Sequence, residues 1–167
     1  MDFESVNSIK SHGFVGFITI AELQTTACCD VPDEPGVYLV IRKDPHPPKF
    51  LSKSKGGHFK GENPTVPKRK LQSKWVTGPK VIYIGKAGGL GKSATLKSRL
   101  LQYMRFGLGK PVGHKGGRYI WQLDGAGVLE VCWKPTPDEN PAVVESRLIQ
   151  EFKTKYDKQR PFANLRN

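Results

Sequence analysis

A chain of 167 residues, 37% of them hydrophobic, is long enough to bury one core unaided and too short for several, so a single domain over 1–167 is expected. Lys and Arg outnumber Asp and Glu by 27 to 15, and the resulting net charge of +12 points to a polyanionic partner, nucleic acid first. The three cysteines are odd in number and lack metal-ligand spacing, and the first residues form no charged leader with an apolar run. These features predict a reducing, cytoplasmic setting and no membrane role.

In chain order, residues 1–35 read as an N-terminal extension with a short strand over 14–20 and a helical turn over 19–25. Pro35 and Gly36 then turn the chain into Val37, Tyr38, Leu39, Val40 and Ile41, a β-branched and aromatic run that predicts a buried strand. Residues 43–80 follow as an inserted basic loop. Between Arg42 and Lys80 eleven Lys or Arg residues face only Asp44 and Glu62, and the prolines and glycines among them argue against a helix or a central strand. Lys53, Lys55, Lys68, Arg69, Lys70 and Lys74 are the candidate nucleic-acid contacts here. The aromatics Phe50, Phe59 and Trp75 favour a loop that docks or binds over a merely solvated one.

Val81, Ile82, Tyr83 and Ile84 predict a second strand, closed by Gly85. Leu96, Leu100, Tyr103 and Met104 recur at helical spacing between Lys92 and Phe106, with Ser93 as the cap and Gly107 as the stop. Arg118–Leu123 and Val128–Trp133 flank Asp124, Gly125, Ala126 and Gly127 and predict a hairpin. Asn140 followed by Pro141 opens the last helix, which should run to about Tyr156. The fold class that results is α/β of the α+β kind, a small mixed or antiparallel sheet flanked by helices.

Glu145 is the oddity of that last helix, because it shares a stripe with Ala142, Leu148, Ile149, Phe152 and Tyr156. A carboxylate so placed must be paired, protonated or bound to a metal. It reads either as a metal ligand or as the partner of Arg99 in a structural salt bridge. Phosphodiester hydrolysis needs a positioner for water, cations for the charge developing on phosphate, and usually a carboxylate-held metal. Tyr38 and Tyr83, Lys86 and Arg99, and Glu145 are candidates for those three parts. A rival motif is Gly85–Ser93, Gly-Lys-Ala-Gly-Gly-Leu-Gly-Lys-Ser, which misses the nucleotide-binding P-loop by one residue of spacing and would make the chain a nucleoside-triphosphate enzyme.

Taken together these residues resemble the GIY-YIG endonuclease family from residue 36 to the C-terminus. Gly36, Val37 and Tyr38 stand at the first tripeptide, and Tyr83, Ile84 and Gly85 match the second. Lys86 and Ala87 extend it as in the nuclease domain of the excision-repair incision enzyme. Leu96, Arg99, Leu100 and Tyr103 resemble the arginine-bearing helix. Glu145, Leu148 and Ile149, then Arg160, Pro161, Asn164 and Leu165, resemble the glutamate helix and the closing asparagine segment. The resemblance implies an endonuclease acting on DNA in which Glu145 holds one magnesium or manganese ion, Tyr38 or Tyr83 positions or deprotonates water, Arg99 and Lys86 stabilise the phosphate charge, and Asn164 braces the site. It requires 43–80 to be an insertion between adjacent strands, since 44 residues separate Tyr38 from Tyr83. Tyr103 stands where some members place a histidine, whose role would pass to His114; the run His114 to Arg118 also resembles stand-alone members. His114 and Arg118 join the candidate nucleic-acid contacts, against the alternative of a basic surface loop. Target reading would fall to the basic loop, the N-terminal residues or a partner in a homodimer. A nucleic-acid-binding module of the same fold without turnover is the other reading.

Overall fold

The computed structural model describes residues 1–114 and 116–165. Five helices and four strands alternate as α1 (Val6–Ser11), β1 (Val15–Thr19), α2 (Ile20–Thr25), β2 (Gly36–Ile41), α3 (Lys68–Lys74), β3 (Val81–Ala87), α4 (Leu96–Gly107), β4 (Glu130–Pro135) and α5 (Pro141–Lys155). The strands form one sheet in the order β1-β4-β2-β3, and every neighbouring pair is antiparallel. The α+β class is therefore as the sequence predicts, with the sheet purely antiparallel. No helix among the described residues is long and apolar enough to cross a membrane.

β2 lies between β3 and β4, and all six of its residues are buried. Alternation along it divides the core: Val37, Leu39 and Ile41 join the cluster that includes Val144, Leu148 and Phe152 of α5. Tyr38 and Val40 join Leu96, Leu100 and Tyr103 of α4. A strand covered on both faces needs apolar residues at every position, which is why its sequence shows no polar alternation.

Residues 43–80 do leave β2 and return at β3 as the insertion expected between paired neighbours, Tyr38 lying opposite Gly85. The insertion docks onto the domain. Leu51 and Lys55 donate backbone hydrogen bonds to Gln122 and Trp121, and Gly57 donates to Phe106. The Gln122 side chain, 1% exposed, donates to the carbonyls of Leu51 and Val66 and accepts from the Val66 amide. Against the expectation of a helix-free loop, Lys68–Lys74 forms α3, in the one stretch after Pro67 that contains no proline or glycine before Gly78.

Three further elements differ from the sequence reading. Arg118–Gln122 is a 3₁₀ turn and not the first strand of a hairpin, with Tyr119, Ile120, Trp121 and Gln122 all buried. The insertion covers this run, so its apolar character has a tertiary origin. The partner of β4 beyond β2 is β1, the short strand predicted over 14–20, and not a hairpin strand over 118–123. The cap of α4 is Thr95, not Ser93, in a reciprocal pair with Ser98.

Gly85 has a steric reason. A Cβ there would lie 2.7 Å from Tyr38 Oη, because the Tyr38 ring crosses directly over the glycine. Gly85→Ala should therefore displace that ring and cost about 1–3 kcal/mol, read as a lower urea midpoint at unchanged slope. An unchanged midpoint would contradict this packing.

Candidate active site

The edge strand β3 carries the site. The closing segment lies along its free edge, where Ala163 donates to the Ile82 carbonyl and the Asn164 side chain both accepts from the Ile84 amide, at 3.0 Å, and donates to the Ile84 carbonyl, at 2.8 Å. A carboxamide is the side chain that can satisfy both groups of one backbone residue, so Asn164 acts as a short extra strand. It holds in place the segment that presents Tyr83 and Lys86.

Around this edge runs a groove of about 1000 Å³. β3 gives it Tyr83 and Lys86, α4 gives Arg99, α5 gives Glu145, and the closing segment gives Arg160 and Asn164. Lys92 and Arg118 add two more cations from the loops. Among the described residues five cations thus face one carboxylate, an arrangement suited to several phosphates and one cation. Glu145, its side chain 22% exposed, lies 3.4 Å from Lys86 Nζ, so its ion-pair partner is Lys86 and not Arg99. Burial raises the Glu145 pKa, while Lys86 and Arg99 pull it down. Arg99 donates to Gln102 Oε1 at 2.8 Å, which fixes its guanidinium along α4.

The two tyrosines separate. Tyr83, 5% exposed, lines the groove, whereas Tyr38 is fully buried behind Gly85. Their rings meet edge to face at 5.9 Å, and Tyr103 packs against both. Burial raises Tyr38, Tyr83 and Tyr103, and the opposing pull of Arg99 is the smaller effect. All three are neutral phenols at neutral pH. Tyr103 donates to the Gly117 carbonyl at 2.8 Å, and Gly117, at φ 72°, approaches so closely that a Cβ would lie 2.6 Å from the Tyr103 hydroxyl.

His114 is not on a surface loop: it is 1% exposed and stacked on Tyr103 at 4.1 Å. Burial and then Arg99 hold its pKa well below 6.5, so it is neutral. The unfolded chain therefore takes up a proton near pH 6.5 that the folded protein refuses. Stability is present above about pH 6.5 and lost as pH falls from there toward the folded value, by about 1.4 kcal/mol per pH unit. His114→Phe should remove that slope in urea titrations run across this range; parallel curves for the two proteins would contradict it.

Lys53, Lys55, Lys68, Arg69, Lys70 and Lys74 are all exposed, and none lines the groove. What the insertion gives the groove is Phe59. Lys92 and Arg160 are not among the site candidates of the sequence; Lys92 enters it in the P-loop-like motif and Arg160 in the closing segment. The P-loop alternative meets a geometric obstacle. A P-loop offers phosphate the first amides of its helix, but at α4 Leu96 donates to Glu34, Lys97 to Pro32 and Ser98 to Thr95.

Among the described residues no three His, Cys, Asp or Glu side chains gather as a ready metal cage. The donor set among the described residues, one carboxylate in an open groove rich in lysine and arginine, fits magnesium, which keeps several waters and takes one or two carboxylates with substrate phosphate. The site stands on this geometry alone: no protein-family model, curated protein or solved structure matches the chain.

Proposed function

We propose that the chain is a metal-dependent endonuclease of the GIY-YIG type that hydrolyses phosphodiester bonds in DNA. The observation that carries this reading is the convergence of Tyr83, Lys86, Arg99, Glu145 and Asn164 on one groove from β3, α4, α5 and the closing segment. Residues that the motif relates only by their order along the chain thus line one groove.

Glu145 would hold the magnesium or manganese ion, which when bound supplies Lewis-acid stabilisation of the phosphate oxygens. Arg99 and Arg118 present guanidinium groups to the non-bridging oxygens, where negative charge grows as water attacks phosphorus. Lys86, released from Glu145, adds a further cation. Tyr83, as a neutral phenol, orients the attacking water by hydrogen bonding. Tyr38 supports Tyr83 from behind, and Asn164 keeps the edge strand in register. The new bond joins the water oxygen to phosphorus and one P–O ester bond breaks; the proton that the water gives up to solvent is balanced by the one that the leaving oxygen takes from solvent.

An end-labelled DNA oligonucleotide tests this reading. Discrete shorter products with magnesium, suppressed by chelation and restored by added metal, are expected; a strand left intact under all metals would overturn it.

A further inference from the structure

Beside the groove lies a small recess of about 20 Å³, room for a single water-sized group. Phe59 and Arg118 line both the groove and the recess, and His114 and Phe106 line the recess only. Polar atoms of two side chains here lack hydrogen-bond partners among the described residues. Both ring nitrogens of His114 and Nε of Arg118 are buried without a hydrogen bond. Buried donors and acceptors normally find partners, and one imidazole stacked on Tyr103 with both nitrogens orphaned is costly unless a ligand group completes it.

Phe59 stands at the mouth. Its ring lies on Gly113, where a Cβ would meet it at 3.1 Å, and Lys60 Nζ sits 5.6 Å from its centroid. An aromatic ring on the wall of a cation-lined groove is the arrangement on which nucleobases stack. The recess behind it is too small for a whole base and matches the single exocyclic oxygen or amino group at a base's polar edge.

We infer that Phe59 and this recess form a nucleobase subsite, in which an unpaired base stacks on Phe59 with its polar edge directed at His114 and Arg118. A base inside a duplex has neither face free, so the nucleotide entering here is single-stranded or extruded from the helix. The inference rests on the nuclease reading for its substrate class, and it assigns the groove a contact besides phosphate.

The test needs neither metal nor cutting. Single-stranded oligonucleotides, deoxyribose and ribose in separate arms, carry one 2-aminopurine at successive positions and are bound by the intact protein in chelator. Stacking should change the fluorescence at one position, and an abasic nucleotide at that position should weaken binding by about tenfold. Phe59→Ala should abolish the fluorescence change and Phe59→Trp restore it; the abasic arm leaves the protein's folding untouched. Binding that ignores both the abasic site and Phe59→Ala would overturn the subsite while leaving the nuclease reading intact. Absence of binding to any strand at low salt would overturn the subsite too, and the metal-dependent cleavage assay then judges the nuclease reading separately.

Discussion

Glu145→Gln should reduce metal-dependent nicking of DNA by at least about 10³-fold while DNA is retained as well as or better than by the intact protein. The rate effect follows from the site's composition. Glu145 is the only carboxylate lining the groove among the described residues, so no neighbour replaces it as a ligand. A bound metal contributes several kcal/mol at the reacting phosphate, and about 4 kcal/mol corresponds to about 10³ in rate. The binding effect has the opposite sign, because the carboxylate is also the one anion facing phosphates and the group that occupies Lys86. Its neutral isostere removes repulsion and frees a lysine. Rate and retention measured side by side separate this outcome from misfolding, which would lower both. Equal loss of retention and nicking would contradict the assignment.

Arg99→Ala should slow nicking by about 10²–10³-fold with a much smaller change in DNA affinity, since four other cations still hold the strand. Arg99→Lys should recover only part of the loss, because lysine offers a point charge where the guanidinium offers a fixed fork. The fork is aimed by Gln102, so Gln102→Ala is the milder relative of the same defect. An Arg99→Ala protein whose rate falls only in proportion to its affinity would place Arg99 among the backbone-gripping residues.

Much of the framework was legible because its causes are local. The run Val37–Ile41 needs apolar residues on both faces, and the Asn140–Pro141 cap is written in two adjacent residues. Glu145 announced itself as a carboxylate on an apolar stripe. What could not be read depends on distant contacts. The run Arg118–Gln122 looks like a strand until the insertion is seen to bury it. β1 finds β4 across more than a hundred residues, and the six-residue α1 buries only Ile9. Of the two readings of Glu145, the salt bridge named Arg99 as its partner, whereas β3 brings Lys86 to it. Burial of the tyrosines from every side, which raises their pKa values in spite of Arg99, is a tertiary property with no local signal. The basic insertion was legible as an insertion, yet its lysines lie outside the groove and its contribution to the site is an aromatic ring.

Metal-dependent phosphodiester hydrolysis at this groove can be measured by incubating the intact protein with supercoiled plasmid at low salt, with magnesium, with manganese and with chelator. Open circles are expected with either metal, none in chelator, and a rate that falls steeply as salt rises and the groove's hold on phosphate weakens. A protein that retards the plasmid on a gel and leaves it supercoiled under every metal would not be a nuclease, and this fold would then be a nucleic-acid-binding module.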